Sequence, residues 1–190
     1  MRELKAEMRK AALAVRSAAH ARSGRTAGDL LAAHGLGFAS PPATGGVSGF
    51  LPIGEEINPL PLMLRMRAAG YTLALPTMEG KAKPLVFRVW GPEDEMREVK
   101  WGIREPLPTS LVVEPDVLLV PLLAFDAKGY RLGYGGGFYD RSLERLRAMK
   151  RIVAVGIGYD EQRVDSVPHA EYDQPLDWVL TPSGPLRCTP

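Results

Sequence analysis

Four glycines in five residues, Gly133-Tyr134-Gly135-Gly136-Gly137, stand between an apolar run, Leu118 to Phe125 closed by Asp126, and a helix-compatible stretch that starts at Phe138-Tyr139-Asp140-Arg141. Strand, glycine loop and helix in that order are the layout of an anion site. Glycines reach backbone conformations closed to other residues and leave amide N–H groups bare for a phosphate. The helix that follows adds the positive end of its dipole. Just before the loop stands Arg131, a fork-shaped phosphate partner, and just after it Asp140, a hard oxygen ligand of the kind that holds a phosphate-bound Mg²⁺. Neither standard nucleotide fingerprint is present: no G-x-x-x-x-G-K-[ST] occurs, and Phe138 occupies the place of the last glycine in a G-x-G-x-x-G counted from Gly133.

Other chemistry has little to build on. His20, His34 and His169 form no metal spacing, and Cys188 has no evident histidine partner. Lys5 and Arg9 are four residues apart near the N-terminus, where like charges on one helix face repel by roughly a few tenths of a kcal/mol. Either that face is simply solvated or something anionic lies over it.

The elements that must position these groups follow from periodicity. The first segment, MRELKAEMRKAALAVRSAAHAR, reads as an amphipathic helix with Leu4, Met8, Ala11, Ala12 and Val15 on the apolar face and Lys5, Arg9 and Arg16 off it. Residues 34–46, rich in glycine and proline, read as a loop. Val47 to Leu51 reads as a strand, Asn58-Pro59 as a helix start closed by Gly70, and Tyr71 to Leu75 as the next strand, which makes a parallel pair with a crossover helix. Leu85 to Trp90 and Met96 to Trp101 flank the turn-like GPEDE and suggest a hairpin or two edge strands. Val117 to Leu123, Ile152 to Ile157 and Asp177 to Leu180 read as further strands, and Asp140 to Lys150 as a helix with Leu143, Leu146 and Met149 on one face. The expected fold is α/β, a largely parallel central sheet flanked by helices, with residues 1–190 as a single domain.

Composition excludes several classes. The chain has 190 residues, 45% hydrophobic and 24% charged, and a net charge of +2, which gives no reason to expect nucleic acid. One cysteine rules out an internal disulfide framework and fits a reducing, cytoplasmic setting. No apolar run approaches the ~20 residues of a membrane helix. The arginine- and alanine-rich N-terminus contains Glu3 and Glu7 and lacks an apolar centre, so it reads as mature helix rather than a targeting peptide.

The run Val120 to Arg141, VPLLAFDAKGYRLGYGGGFYDR, closely resembles the signature of the 5-formyltetrahydrofolate cyclo-ligases, also called 5,10-methenyltetrahydrofolate synthetases. Weaker matches lie in the same order along the chain: Lys5 and Arg9, Glu56 in GEEINP, Pro76 after a strand, Trp101 to Pro106, then Asp173 and Asp177. One departure is Gly136, where some members carry a basic residue. The resemblance implies a Rossmann-like fold of the NagB/RpiA/CoA transferase-like kind, with ATP as co-substrate, Mg²⁺ as cofactor and 5-formyltetrahydrofolate as substrate. No obligate protein partner is evident.

By the same resemblance, Lys5, Arg9, Arg131 and the loop Gly133, Tyr134, Gly135, Gly136, Gly137, Phe138 and Tyr139 are expected to hold ATP. Leu51, Glu56, Trp101 and the loop residues Tyr134 to Phe138 would meet the folate, Trp101 and Tyr139 offering stacking faces and Glu56 accepting from ring N–H groups. Asp140 and Asp173 are the expected Mg²⁺ ligands, and Arg131 and Tyr139 the catalytic residues. The implied reaction transfers the γ-phosphoryl of ATP to the formyl oxygen, after which N10 attacks the formyl carbon and phosphate leaves. Two rivals share the motif: another ATP-dependent small-molecule kinase or ligase, and a non-catalytic folate or nucleotide binder. Arg131 together with Asp140 speaks against the second, which has no need to neutralise phosphoryl-transfer charge.

Overall fold

The structure, a computed structural model, describes residues 2–99 and 102–189. Its elements are α1 (Arg2–His34), β1 (Gly46–Ser48), α2 (Leu60–Ala68), β2 (Thr72–Thr77), β3 (Val86–Val89), β4 (Met96–Glu98), β5 (Arg104–Pro106), β6 (Val117–Pro121), β7 (Ala124–Phe125), β8 (Arg131–Leu132), α3 (Phe138–Met149), β9 (Val153–Ile157), β10 (Trp178–Thr181) and β11 (Gly184–Arg187). Seven strands make one sheet in the order β11-β10-β9-β6-β1-β2-β3. The five inner strands pair in parallel, with Val47 opposite Leu73 and Val117, and Leu119 opposite Val155. The edges β3 and β11 run antiparallel to their neighbours.

β6 shows why the sheet forms. Val117, Leu118, Leu119 and Val120 are fully buried, as a strand with both faces covered requires. Val117 and Leu119 pack with Ala19, Ala27 and Leu31 of α1 and Leu62, Met63 and Met66 of α2, whereas Leu118 and Val120 pack with Leu143 and Leu146 of α3. Helices thus cover both faces of a largely parallel sheet. The chain leaves β1 through α2 toward β2 on one side, and β6 through α3 toward β9 on the other. The switch point between β1 and β6 is where open α/β sheets bind ligands, at the carboxyl ends of the strands.

Several expectations change. The first helix is 33 residues long and continues through Gly24 and Gly28. Gly28 is a packing site, since a Cβ there would come within 2.6 Å of the Asn58 carbonyl oxygen. Its inward face also differs from the one read off the sequence. Leu4 and Val15 are 54% and 40% exposed, whereas Arg16 is 5% exposed, and Lys5, Arg9, Ala12, Arg16 and Ala19 form the stripe turned to the protein. Met8 and Ala12 of the expected face do pack inward, on Leu123, Ala124, Leu132 and Val167; beside them this half of α1 covers polar acceptors, where lysine and arginine are the residues that fit.

Of the two alternatives around GPEDE, the hairpin does not form: β3 pairs with β2 as an edge of the main sheet, and β4 pairs with β5, a three-residue strand with no alternating pattern. Pro76 lies inside β2 rather than after it, opposite Phe87 of β3; β1 has ended by then, its last partner being Ala74, so the missing N–H breaks no ladder on that side. β6 stops at Pro121, and the small β7–β8 hairpin precedes the glycine loop. β11 was not expected. Its residues Pro185, Leu186 and Arg187 are exposed, so no burial pattern marks them.

Candidate active site

The β7–β8 hairpin is built to aim Arg131. Asp126, 2% exposed, accepts the backbone N–H groups of Lys128 and Tyr130 on Oδ1 and of Val167 on Oδ2, which closes the turn. Gly129 has φ +87° and lies so close to Leu176 that a Cβ would be 2.4 Å from its carbonyl oxygen. Arg131 then emerges with its fork already engaged: Nη1 donates to the Gln174 carbonyl at 2.6 Å and Nη2 to Asp140 Oδ1 at 2.8 Å. Asp140 Oδ1 also accepts the Gln174 N–H at 3.1 Å. The expected phosphate fork and the expected metal ligand therefore hold each other, and together they tie β8, α3 and the 173–176 segment into one unit.

The glycine loop is held by its carbonyls. Arg9 Nε donates to Gly133 O at 2.8 Å and Arg141 Nη2 to Gly136 O at 2.8 Å. Gly135 (φ +93°) and Gly137 (φ +65°) supply the left-handed turns that L side chains resist. Among the described residues, the N–H groups of Tyr134, Gly135, Gly136 and Gly137 meet no protein acceptor, and the first turn of α3 carries no side-chain cap. Carbonyls taken by arginines and amides left free, at a helix N-terminus, make a cradle for an anion. Lys5 approaches from α1, with Nζ 2.6 Å from Asp173 Oδ2, which also accepts the Ala170 N–H. Both members of the like-charged pair on α1 thus have acceptors on the protein. Among the described residues no group of three potential metal-ligating side chains occurs.

On the β1 side of the switch point, Glu56 is 6% exposed, and its Oε2 accepts the Ile53 N–H at 2.9 Å. Burial pushes its carboxyl above the usual range, against the opposing pull of that amide, of Arg16 and of the Tyr134 hydroxyl. Arg16 Nη1 donates to Tyr134 Oη at 2.7 Å and lies 3.7 Å from Glu56 Oε1. Burial also raises the pKa of Tyr139; the charge of Glu56 adds to this and Arg131 works against it, so the phenol stays an O–H donor between the two halves of the site. Leu51 is partly buried against the core that includes Phe50 and Ile57. Trp101 lies outside the described residues.

The structure thus brings Lys5, Arg9, Glu56, Arg131, Asp140, Asp173 and the glycine loop around one switch point. Arg16 is not among the expected site residues, although it stands off the apolar face with Lys5 and Arg9 and its spacing of seven from Arg9 sets both on one side of the helix. Asp177, which shared the resemblance, is structural: Oδ2 accepts the Ala154 N–H and a bond from Arg147. His169 stacks on Tyr130 with ring centroids 3.5 Å apart, and burial pushes the Cys188 thiol up to about 12, so neither presents reactive chemistry.

An α/β protein with a free-amide loop, a basic helix over it and a buried carboxylate beside it has the makings of a nucleotide-dependent enzyme for a small polar substrate. Comparison with known proteins narrows this. Residues 1–182 match the model of the 5-formyltetrahydrofolate cyclo-ligase family. The 5-formyltetrahydrofolate cyclo-ligase of Escherichia coli (strain K12) is 39% identical over 145 residues, covering 72% of this chain and 78% of that one. The NMR structure of Aquifex aeolicus 5,10-methenyltetrahydrofolate synthetase superposes with a TM-score of 0.76 at 27% identity, covering 98% and 94% of the two chains. A 5,10-methenyltetrahydrofolate synthetase from Mycoplasma pneumoniae shares the fold, with a TM-score of 0.71 at 19% identity over 94% and 98%. The chain belongs to the 5-formyltetrahydrofolate cyclo-ligase family, a family of enzymes.

Proposed function

We propose that this protein closes 5-formyltetrahydrofolate to 5,10-methenyltetrahydrofolate with ATP as the phosphoryl donor, releasing ADP and phosphate. The observation that carries the reading is the convergence at one switch point of a run of free loop amides, the Lys5 and Arg9 side chains above it, and the buried Glu56 next door. The amides and the α3 N-terminus suit the phosphates; Glu56 and Tyr134 suit the polar edge of the pterin. An amide oxygen is a poor leaving group, so the γ-phosphoryl passes to the formyl oxygen as ADP leaves, N10 attacks the activated carbon and gives up its proton to solvent, and the phosphate departs with that oxygen. Such a step needs placement and charge stabilisation rather than a protein nucleophile, roles that the Tyr139 O–H and the Arg131 guanidinium would fill.

Asp140 and Asp173 would hold Mg²⁺. The donor set fits an ion that takes one or two carboxylates and fills its other positions with water and phosphate oxygens. When bound, the ion would offset negative charge on the phosphates. Each carboxylate has a cation partner, Arg131 or Lys5, and these two side chains would pair with phosphate oxygens.

The test is the absorbance of the methenyl product with protein, Mg·ATP and 5-formyltetrahydrofolate, with ATP omitted as the control. Product in step with ADP supports the reading. ADP release with other acceptors and not with this folate points to a different ligase, and binding without ADP to a passive carrier.

A further inference from the structure

Arg16 is the feature of the site that the reaction above leaves unused. It is 5% exposed on the inner face of α1, and yet among the described residues it makes one hydrogen bond, to Tyr134 Oη at 2.7 Å. Its Nε is buried with no partner. Arg145 Nε is likewise without a partner, but its Nη1 and Nη2 both bond the Glu114 carboxylate, and Arg147, a structural arginine, donates to Gln174, Pro175 and Asp177. A buried guanidinium with unmet donors is a cost to the fold, so its place calls for a role in the site. Its guanidinium lies 5.7 Å from the centre of the Tyr134 ring and 3.7 Å from Glu56 Oε1.

We propose that Arg16 is a positioning residue for the folate half of the site: it orients the Tyr134 ring and hydroxyl, and supplies the positive charge that lets Glu56 stand in a dry pocket as an anion able to accept ring N–H groups. This rests on the reading of Glu56 as a folate contact. Three titratable or charged groups face this carboxylate among the described residues: Arg16 from α1, Tyr134 from the glycine loop and Tyr139 from α3, with the Ile53 N–H from its own loop. Arg16 is the cation among them, and no other member of the set can replace its charge. The phosphate half, held by Lys5, Arg9 and the loop amides, makes no use of it.

The experiment compares Arg16→Gln, Arg16→Lys and Glu56→Gln, measuring KM for 5-formyltetrahydrofolate and for ATP separately and the pH profile of kcat/KM for the folate. Arg16→Gln is expected to raise the folate KM about tenfold while leaving the ATP KM within about twofold. The acid limb of its profile should move up by about one pH unit, the effect of losing a neighbouring opposite charge. In Glu56→Gln the acid limb disappears, and adding Arg16→Gln to it costs far less than the two single changes predict. Arg16→Lys keeps the limb in place and still raises the folate KM, because an ammonium keeps the charge without the planar fork; it decides the matter alone should Arg16→Gln fail to fold. A wild-type folate KM in Arg16→Lys, equal effects on both substrates, or an unmoved limb in Arg16→Gln overturns the role of Arg16. A wild-type folate KM in Glu56→Gln instead overturns the underlying folate assignment, and the role of Arg16 with it.

Discussion

Asp140 is where a structural role and a metal role can be separated, and Asp140→Asn separates them. Oδ1 of Asp140 accepts from Arg131 Nη2 at 2.8 Å and from the Gln174 N–H at 3.1 Å. Asparagine keeps a carbonyl oxygen that can take both bonds, so what is lost is charge. A hydrogen bond to a charged group contributes about 1.5–3 kcal/mol and a neutral one about 0.5–1.5, so the loss from this exchange is about 1 kcal/mol. Asp140 also lies in the first turn of α3, where a carboxylate adds about 0.3–1 kcal/mol through the dipole. Arg131 retains the Gln174 carbonyl and is not orphaned. A total near 1–2 kcal/mol lowers Tm by about 2–4 °C per kcal/mol in a chain of this size, a drop of several degrees by scanning fluorimetry. If Asp140 also takes Mg²⁺ from ATP, turnover falls by orders of magnitude and recovers in part as Mg²⁺ is raised, because the affinity for the ion has dropped. Arg131→Lys is the control, since it loosens the same ion pair and leaves the carboxylate intact. Equal Mg²⁺ dependence in Asp140→Asn, Arg131→Lys and the wild type would refute the metal role and leave only the tie to Gln174.

Replacing Lys5 and Arg9 together by Gln should raise the ATP KM well above any change in the folate KM, and should also lower Tm, because each side chain is bonded to the protein and a bond of this kind contributes about 1 kcal/mol; equal effects on both substrates would move α1 away from the phosphates. Trp101→Ala should weaken folate binding by about 1–3 kcal/mol if the indole stacks on the pterin, and unchanged affinity by calorimetry would return Trp101 to a packing role. Gly135→Ala forces a side chain into a φ of +93°, at a cost of about 1–2 kcal/mol, with its Cβ 3.1 Å from the Arg9 guanidinium; the ATP KM should rise, and a normal ATP KM in a folded variant would show that the loop amides do not hold the nucleotide.

The inner strands of the sheet were legible most clearly where both faces are buried and the apolar run is unbroken, as in β6. The edge strand β3 was legible too, within Leu85 to Trp90, but β5 and β11 were not, since they present little apolar surface and their place depends on neighbours elsewhere in the chain. The glycine loop was legible for a related reason: its backbone needs conformations that few residues besides glycine supply. The signature run that contains it mixes two kinds of residue that a one-dimensional reading cannot sort. Asp126 and Gly129 build the hairpin and its contact with Leu176, and Arg131 divides its fork between Gln174 and Asp140. Among the described residues of the run, it is Tyr134 to Gly137 and the first turn of α3 that leave backbone donors free.

α1 was misread for a reason that bears on how the site works. Its contacts with the site join residues 168, 124 and 118 positions apart, Lys5 to Asp173, Arg9 to Gly133 and Arg16 to Tyr134, and nothing local in the sequence points to such partners. Periodicity can find an apolar stripe, and the Leu4–Val15 stripe is genuine as a pattern, but burial goes to whichever face finds partners. Here the partners are a carboxylate, a carbonyl and a phenol for the cations, with Leu123, Ala124, Leu132 and Val167 for Met8 and Ala12. The second half of the helix docks differently, through Ala19, Ala27 and Leu31 against the sheet. One helix therefore has an apolar anchor at its carboxyl half and a polar, charge-dependent cover at its amino half. The cover carries the cations opposite the loop amides, and its acceptors include Asp173, one of the two carboxylates with claims on the metal. If Lys5 and Arg9 hold the phosphates as proposed, the docking of this half of the helix and the binding of the nucleotide draw on the same side chains.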